Sequence, residues 1–157
     1  MKMIILGLVC ATGLGASSVA LAADAKLEAP LHQFIDSFNK GDAKAAAATH
    51  VAAPSIIDEV PPHLWQGPKA FATWAADLAK NDKAQGISGE NVALGEPTRE
   101  VVKGSRAYVV APATYSFTQK GAAMREVAQM TFALTKTAKG WKIAGWTWTG
   151  PDPSPAR

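Results

Sequence analysis

Residues 127–150 read VAQMTFALTKTAKGWKIAGWTWTG, and this stretch decides the fold of the chain. Two runs rich in β-branched and aromatic residues flank a short turn at residues 137–140, a pattern typical of a β-hairpin. The second run carries Trp141, Trp146 and Trp148, which are three of the five tryptophans in the chain. We therefore expect this hairpin to close the hydrophobic core.

Upstream of the hairpin, the hydrophobic pattern first has the period of a helix. Residues 25–40 are predicted to form an amphipathic helix that Gly41 ends, and Asp42 caps a second, alanine-rich helix that reaches about His50. At a helix end, a protonated His50 would interact favourably with the helix dipole. A short strand is predicted at residues 55–60.

The second half of the chain has the pattern of a sheet. Pro61 and Pro62 exclude a helix directly after the short strand, and Pro68 opens a third helix. Beyond it, a bend is expected at residues 95–97. Four strands are predicted at residues 88–102, 106–118, 125–136 and 141–149. This order predicts an α+β fold in which a curved, cone-like antiparallel sheet wraps around three N-terminal helices.

The first 22 residues have the pattern of a secretory signal peptide. Lys2 precedes an apolar run, and the segment ends in Ala-Leu-Ala at Ala22, which is a small-residue cleavage motif. We expect cleavage after Ala22 and a periplasmic or secreted location. Residues 23–150 then form a single domain, followed by a flexible tail at residues 151–157 that contains three prolines.

Composition argues against several classes of function. The net charge is +3, but the 16 Lys and Arg residues are scattered among 13 Asp and Glu residues, so nucleic-acid binding is not expected. Cys10 is the only cysteine and lies in the predicted signal peptide, so the mature chain has no disulfide. After cleavage, no segment has the ~20 apolar residues that cross a membrane. His32 and Asp36 lie off the apolar face of the first helix, and we predict neither a metal site nor a cofactor.

Five segments share their order and spacing with a known superfamily. They are Phe38-Asn39-Lys40-Gly41-Asp42, Ile56-Ile57-Asp58, Gly67, Pro68-Lys69-Ala70-Phe71 and Lys139-Gly140-Trp141-Lys142-Ile143. The chain thereby resembles the nuclear transport factor two-like superfamily, which includes the SnoaL-like proteins and ketosteroid isomerase. The resemblance implies a cone whose open end holds a mostly apolar pocket, often in a homodimer.

Asp58 stands where the resemblance places the proton-shuttling carboxylate of the isomerases. A carboxylate in an apolar cavity has a raised pKa and can act as a general base. The isomerase pattern also implies a tyrosine on the first helix and a protonated acid in the penultimate strand, but Phe34 and Ala128 occupy these positions. Steroid-type isomerisation is therefore not expected. Asp58 is either a pocket acid of another kind or a solvated residue at a strand end.

The loop after Asp58 supplies two further candidates. His63 is interpreted either as a second group for proton transfer or as an ordinary loop residue, and Trp65 either as a gate over a ligand or as a seal at the core edge. The predicted pocket-lining residues are Phe34, Trp65, Trp74, Leu78, Tyr115, Met130 and Phe132. The pattern alone does not separate a cavity wall from a filled core.

These observations favour an exported module that binds a small apolar or amphipathic ligand, or a protein partner, without converting it. The alternative is a small enzyme of isomerase, dehydratase or hydrolase type that uses Asp58 as a general acid or base. The aromatic-rich end of the chain also predicts a sheet face that is buried in a homodimer.

Overall fold

The computed structural model describes residues 25–156, so the predicted signal peptide lies outside the described residues. The helices are α1 (Ala25–Asn39), α2 (Ala43–Ala48) and α3 (Ala70–Gln85). The strands are β1 (His50–Ile57), β2 (Leu64–Gln66), β3 (Ile87–Leu94), β4 (Arg99–Lys103), β5 (Arg106–Gln119), β6 (Ala122–Thr137), β7 (Gly140–Thr149) and β8 (Ser154–Pro155). In this part of the chain, no helix is both long and apolar enough to cross a membrane.

One curved sheet carries the fold and confirms the predicted α+β class. Its strands follow the order β2-β1-β7-β6-β5-β3, with β4 paired to β5 and β8 paired to β6. The strand pairs are antiparallel except for β1 and β7, which run parallel. Helix α1 contacts β3 and β7, and α3 contacts β1 and β2, so the sheet wraps around the helices. Apolar side chains from both layers form one core between them.

The C-terminal hairpin forms as predicted. Strands β6 and β7 pair antiparallel down to Thr137 and Gly140 at the turn. Gly140 has a φ of 100°, a backbone conformation that favours glycine. Met130, Phe132 and Leu134 alternate along β6 and are almost fully buried. Because strand side chains alternate between faces, this spacing directs one face of the hairpin into the core.

Several element boundaries differ from the sequence prediction. Helix α2 ends at Ala48, and His50 begins β1 instead of ending the helix. The predicted connection after the two prolines contains β2, which pairs with β1. The strand predicted at residues 88–102 divides into β3 and β4, and the division falls at the bend that was expected at residues 95–97. A Cβ atom on Gly95 would lie 2.9 Å from the Pro112 side chain, so this close approach needs glycine.

The C-terminal tail also differs from the prediction of a flexible segment. Ser154–Pro155 form β8, which pairs with Met124 and Arg125 of β6. The Ala156 N–H group donates a hydrogen bond of 2.9 Å to the Ala123 carbonyl. This pairing places Pro153 in the wall of a cavity between the helices and the sheet.

Candidate functional site

A cavity of about 140 Å³ lies between α1, α3 and the sheet and is partly open to solvent. Its volume is close to that of a protein cavity that holds one benzene molecule, so it fits a small ligand. The aromatic residues of the wall are Phe34, Phe38, Trp74, Tyr115, Phe117, Trp146 and Trp148. The acidic residues of the wall are Asp58, Glu59, Asp82, Glu90 and Glu126.

Aromatic rings from different helices and strands pack against one another in the wall. Phe34 of α1 lies 6.4 Å from Trp74 of α3 and 5.5 Å from Trp146 of β7, measured between ring centroids. Trp74 and Trp146 meet edge to face at 5.0 Å. On the sheet, Tyr115 of β5 meets Trp148 of β7 edge to face at 6.1 Å. Such pairs stabilise ring orientation, so the wall is pre-formed.

Asp58 follows the last residue of β1 and lies in the cavity wall. Its Oδ2 atom accepts a hydrogen bond of 2.6 Å from Trp74 Nε1, and its Oδ1 atom accepts one of 2.6 Å from the Glu59 backbone N–H group. Burial raises the pKa of Asp58 above its ordinary value, although the Trp74 hydrogen bond opposes this shift. The two hydrogen bonds therefore hold a partly desolvated carboxyl group in one orientation.

Glu59 and Glu126 form a carboxyl pair on the same wall. Glu126 lies on β6, is 2% exposed and accepts a hydrogen bond of 2.7 Å from Trp148 Nε1. Partial burial and the adjacent Glu126 carboxyl raise the pKa of the more exposed Glu59 to about 8. Burial also raises the pKa of Glu126. Both shifts favour the neutral form of a carboxyl group at this wall.

Asp82 and Glu90 bring two more carboxyl groups to the wall. Asp82 lies in the last turn of α3 and is 8% exposed, and within residues 25–156 its Oδ1 atom has no hydrogen-bond partner. Burial and the charge of Glu90 raise the pKa of Asp82 to about 6. Glu90 Oε1 accepts a hydrogen bond of 2.7 Å from the Tyr115 hydroxyl group. A buried carboxylate oxygen without a partner is costly, so the fold leaves one acceptor at the cavity unsatisfied.

The charged groups around the cavity all have the same sign. Five of the 13 Asp and Glu residues of the chain line it, whereas no Lys, Arg or His of the described residues does. None of these five forms an ion pair with another residue of the described chain. Over residues 25–156, no group of three or more His, Cys, Asp and Glu side chains is arranged to hold a metal ion.

The structure brings most of the sequence-predicted site residues to this cavity. Those in the wall are Phe34, Asp58, Trp74, Leu78, Tyr115 and Met130. His63 is exposed, and its ring lies 3.2 Å from the backbone oxygen of Asp58 instead of meeting the carboxylate. Trp65 on β2 is 4% exposed and donates a hydrogen bond of 2.9 Å to Asp77 of α3. Phe132 is fully buried in the core, so none of these three contributes to the wall.

Sequence reasoning missed four acidic residues of the wall, which are Glu59, Asp82, Glu90 and Glu126. The position of Glu126 in the wall was predictable in principle, because Glu126 precedes Ala128 by two residues and therefore shares its strand face. Asp82 follows Leu78 by four residues on α3, so helical spacing also placed it on the cavity side. Glu90 had no comparable signal, because the register of β3 against β5 shifts around it.

His50 forms a separate buried polar cluster outside the cavity wall. Its ring packs edge-on against Phe34, with 5.0 Å between the centroids. Nε2 accepts a hydrogen bond of 3.1 Å from Trp146 Nε1, and Nδ1 lies 3.0 Å from the Ala46 carbonyl oxygen. Burial lowers the pKa of His50 to about 4, so the ring is neutral at neutral pH and both nitrogens have partners.

A sequence model of the SnoaL-like domain matches residues 27–147, which is most of the chain. The chain belongs to the SnoaL-like domain family. No curated protein matches its sequence. For this SnoaL-like protein, the family and the cone-like sheet agree with the resemblance stated from the sequence.

Solved structures of the nuclear transport factor two-like fold are similar to this SnoaL-like protein at low sequence identity. A ketosteroid isomerase-like protein from Erwinia carotovora atroseptica is 20% identical over 82% of this chain and 96% of its own, with a TM-score of 0.64. A nuclear transport factor 2-like superfamily protein from Salmonella enterica is 17% identical over 84% and 90%, with a TM-score of 0.65. A hexachlorocyclohexane dehydrochlorinase, LinA type 2, is 12% identical over 85% and 88%, with a TM-score of 0.69. At these identities, the likeness shows the fold alone.

Proposed function

We propose that this SnoaL-like protein binds a small apolar or amphipathic molecule in the cavity and does not convert it. The strongest support is that the N–H and O–H groups on aromatic rings of the wall already donate hydrogen bonds to other side chains of the protein. The donor–acceptor pairs are Trp74–Asp58, Tyr115–Glu90, Trp146–His50 and Trp148–Glu126. Catalysis through an oxyanion needs donors aimed at the charge that develops on the substrate. Here these ring donors are already bonded to side chains of the protein.

The composition of the wall supports binding as well. Small-molecule sites are concave, mostly apolar and usually pre-formed, with a few polar groups that fix the ligand's orientation. The cavity meets this description, because aromatic rings from α1, α3, β5 and β7 surround it and carboxyl groups interrupt them. Phe34 also lies in the wall at the position where the isomerase resemblance implies a tyrosine donor.

Native mass spectrometry of the protein purified from its own host tests this proposal. We expect a retained small molecule, because a pre-formed apolar cavity favours occupancy. The variant Leu78→Trp should lose this molecule, since the larger side chain fills the cavity from α3. The control Ala76→Trp places the same side chain at an exposed position of α3 and should keep the molecule. A wild-type protein without any retained molecule would count against the proposal.

A second candidate function is proton transfer by Asp58, with His63 of the following loop as a second group for proton transfer. The observation that favours it is the raised pKa of a carboxyl group that lies in the wall. A base that abstracts a carbon-bound proton would exchange it for deuterium when the retained molecule is incubated with the protein in deuterated water. Asp58→Asn should then stop the exchange while the protein stays folded. Equal exchange in both proteins would exclude Asp58 as the base.

We also propose that the mature protein is exported and forms a homodimer. Export predicts a purified chain that begins at Ala23, which intact-protein mass spectrometry measures directly. Residues other than these two tryptophans support a dimer interface, because Trp146 is buried and Trp148 lines the cavity. Exposed apolar side chains instead include Tyr108 of β5 and Val127 of β6. Analytical ultracentrifugation should show a dimer that Tyr108→Lys weakens.

A further inference from the structure

We propose that the ligand of this cavity is an organic cation, a small molecule whose apolar body contacts the aromatic wall while its protonated amine meets the carboxylates. This inference rests on the proposed binding function and names the chemical class of the ligand. The residues that carry it are Asp58, Asp82 and Glu90, together with the rings of Trp74 and Tyr115.

Acidic and basic side chains are distributed unequally between the cavity wall and the rest of the molecule. The chain as a whole has a net charge of +3, with 16 basic and 13 acidic residues. Even so, the cavity wall holds five acidic residues and no basic residue of the described chain. Carboxylates of one sign in a partly desolvated space repel one another and destabilise the empty state. A positively charged ligand removes this repulsion.

A second observation is the unpartnered oxygen of Asp82. Asp82 is 8% exposed as a residue, lies in the wall, and has a buried Oδ1 atom without a hydrogen-bond partner within residues 25–156. Buried polar atoms in folded proteins almost always have partners, so the unpaired Oδ1 atom beside the cavity is an acceptor for a donor that a ligand brings when the wall adjusts around it. An ammonium group supplies both a hydrogen-bond donor and the opposite charge.

The arrangement of the wall fits an organic cation better than a metal ion. In the described chain, no three acidic or histidine side chains are arranged to hold a metal. The carboxyl groups are instead spread over α3, β3, β6 and the segment after β1, around an aromatic wall. Aromatic faces attract organic cations, and their rings also contact an apolar body. The volume of about 140 Å³ suits a molecule with one ring or a short chain.

Three probes of nearly equal size test the inference by isothermal titration calorimetry. They are 2-phenylethylammonium, the neutral 2-phenylethanol and the anionic 3-phenylpropanoate. At low salt and about pH 7.5, we expect the amine to bind about tenfold more tightly than the alcohol, and the acid to bind most weakly. Added salt should reduce the affinity for the amine and leave that for the alcohol almost unchanged.

The outcomes separate this inference from the proposed function on which it rests. If the alcohol binds as tightly as the amine, or the acid binds more tightly, the cavity is a binding site but the cation inference is wrong. If none of the three probes binds, the proposed function itself fails, and the inference fails with it. A clear preference for the amine supports both.

A variant that removes one negative charge tests whether Asp82 causes the preference for the amine over the alcohol. Asp82→Asn should reduce the ratio of amine affinity to alcohol affinity about fivefold, because the orphaned carboxylate is replaced by a neutral amide. Asp36→Asn is the matched control, since Asp36 is exposed on α1 and does not line the cavity. It should leave the ratio unchanged. An unchanged ratio in a folded Asp82→Asn variant would overturn the role of Asp82.

The pH dependence gives an independent readout. Asp82 faces Glu90 of β3 and Asp58 after β1, and its carboxyl group takes up a proton as the pH falls through about 6. Amine affinity should therefore fall between about pH 7.5 and pH 5, whereas alcohol affinity should not. In Asp82→Asn, the decrease for the amine should be smaller. The same decrease for amine and alcohol would contradict a charge-based preference.

Discussion

Two buried polar regions of this protein lie close together and are built in opposite ways. His50 is neutral, and its two ring nitrogens have partners in Trp146 and the Ala46 carbonyl group. The cavity wall instead collects acidic side chains without a counter-charge, and the Oδ1 atom of Asp82 has no partner in the described chain. The first region satisfies its polar groups internally. The second leaves the Oδ1 atom of Asp82 unpaired and its acidic groups without a counter-charge.

This contrast separates the polar groups that stabilise the fold from those that serve a site. A satisfied buried network contributes to stability, and removing one member leaves the other members unpaired. A buried charge without a partner reduces stability, so its removal should stabilise the protein. Substitutions in the two regions should therefore change the free energy of unfolding in opposite directions.

The largest change in the free energy of unfolding is expected in the buried cluster around His50. His50→Ala removes a buried ring and leaves the Trp146 N–H group without its acceptor, so the free energy of unfolding should fall by ~3–4 kcal/mol. Urea denaturation at neutral pH measures this change. Gln33→Ala is the control, because Gln33 is exposed on α1. Similar losses in both variants would contradict the importance of the His50 cluster.

The second prediction concerns the loss of folding stability at low pH. Burial lowers the pKa of His50 from 6.5 to about 4, so the folded state favours the neutral ring. The unfolded chain takes up this proton first, and the stability that the neutral ring contributes is lost as the pH falls from about 6.5 to about 4. Over that range, wild type should lose about 3 kcal/mol relative to His50→Gln, which does not titrate. Parallel stability curves for the two proteins would rule this out.

The third prediction has the opposite sign. Burial and the charge of Glu90 raise the pKa of Asp82 from 3.8 to about 6, so the folded state disfavours the ionised group. Wild type therefore loses stability as the pH rises from about 4 to about 6. Asp82→Asn should be more stable than wild type by roughly 1–2 kcal/mol above pH 6 and equal to it below pH 4. The exposed Asp36→Asn should show no such difference, and a destabilised Asp82→Asn at high pH would contradict the comparison.

Most of the fold was predictable because hydrophobic periodicity determines element type. The hairpin of β6 and β7, α1 and α3 all have clear patterns, and the structure has each of them. The errors concern elements whose pairing depends on distant residues. His50 continues an alanine-rich helix in sequence, but it begins β1 because that strand runs parallel to β7. Likewise, β8 exists only because β6 extends far enough to pair with it.

The cavity wall was predictable in part, for a physical reason. For apolar residues such as Phe34 and Trp74, helical spacing predicts which side chains face the core. Acidic residues are predicted to be exposed, because they are rarely buried in proteins. Asp82 and Glu126 break that assumption, since both are almost fully buried. The spacing of Asp82 from Leu78 was visible in the sequence, but its burial is a tertiary property.

The smallest expected effect separates a structural tryptophan from one at the site. Trp65 was predicted as a gate or a seal, and the structure places it on β2, where it donates a hydrogen bond to Asp77 outside the cavity. Trp65→Phe should therefore reduce the free energy of unfolding by about 1 kcal/mol, the value of one hydrogen bond, and leave the affinity for 2-phenylethylammonium unchanged. Trp148→Phe is the matched comparison, because it also removes an indole donor but in the wall beside Glu126. It should change the amine affinity. If Trp65→Phe changed the affinity as much as Trp148→Phe, β2 would belong to the site, and the distinction between a structural tryptophan and a site tryptophan would be wrong.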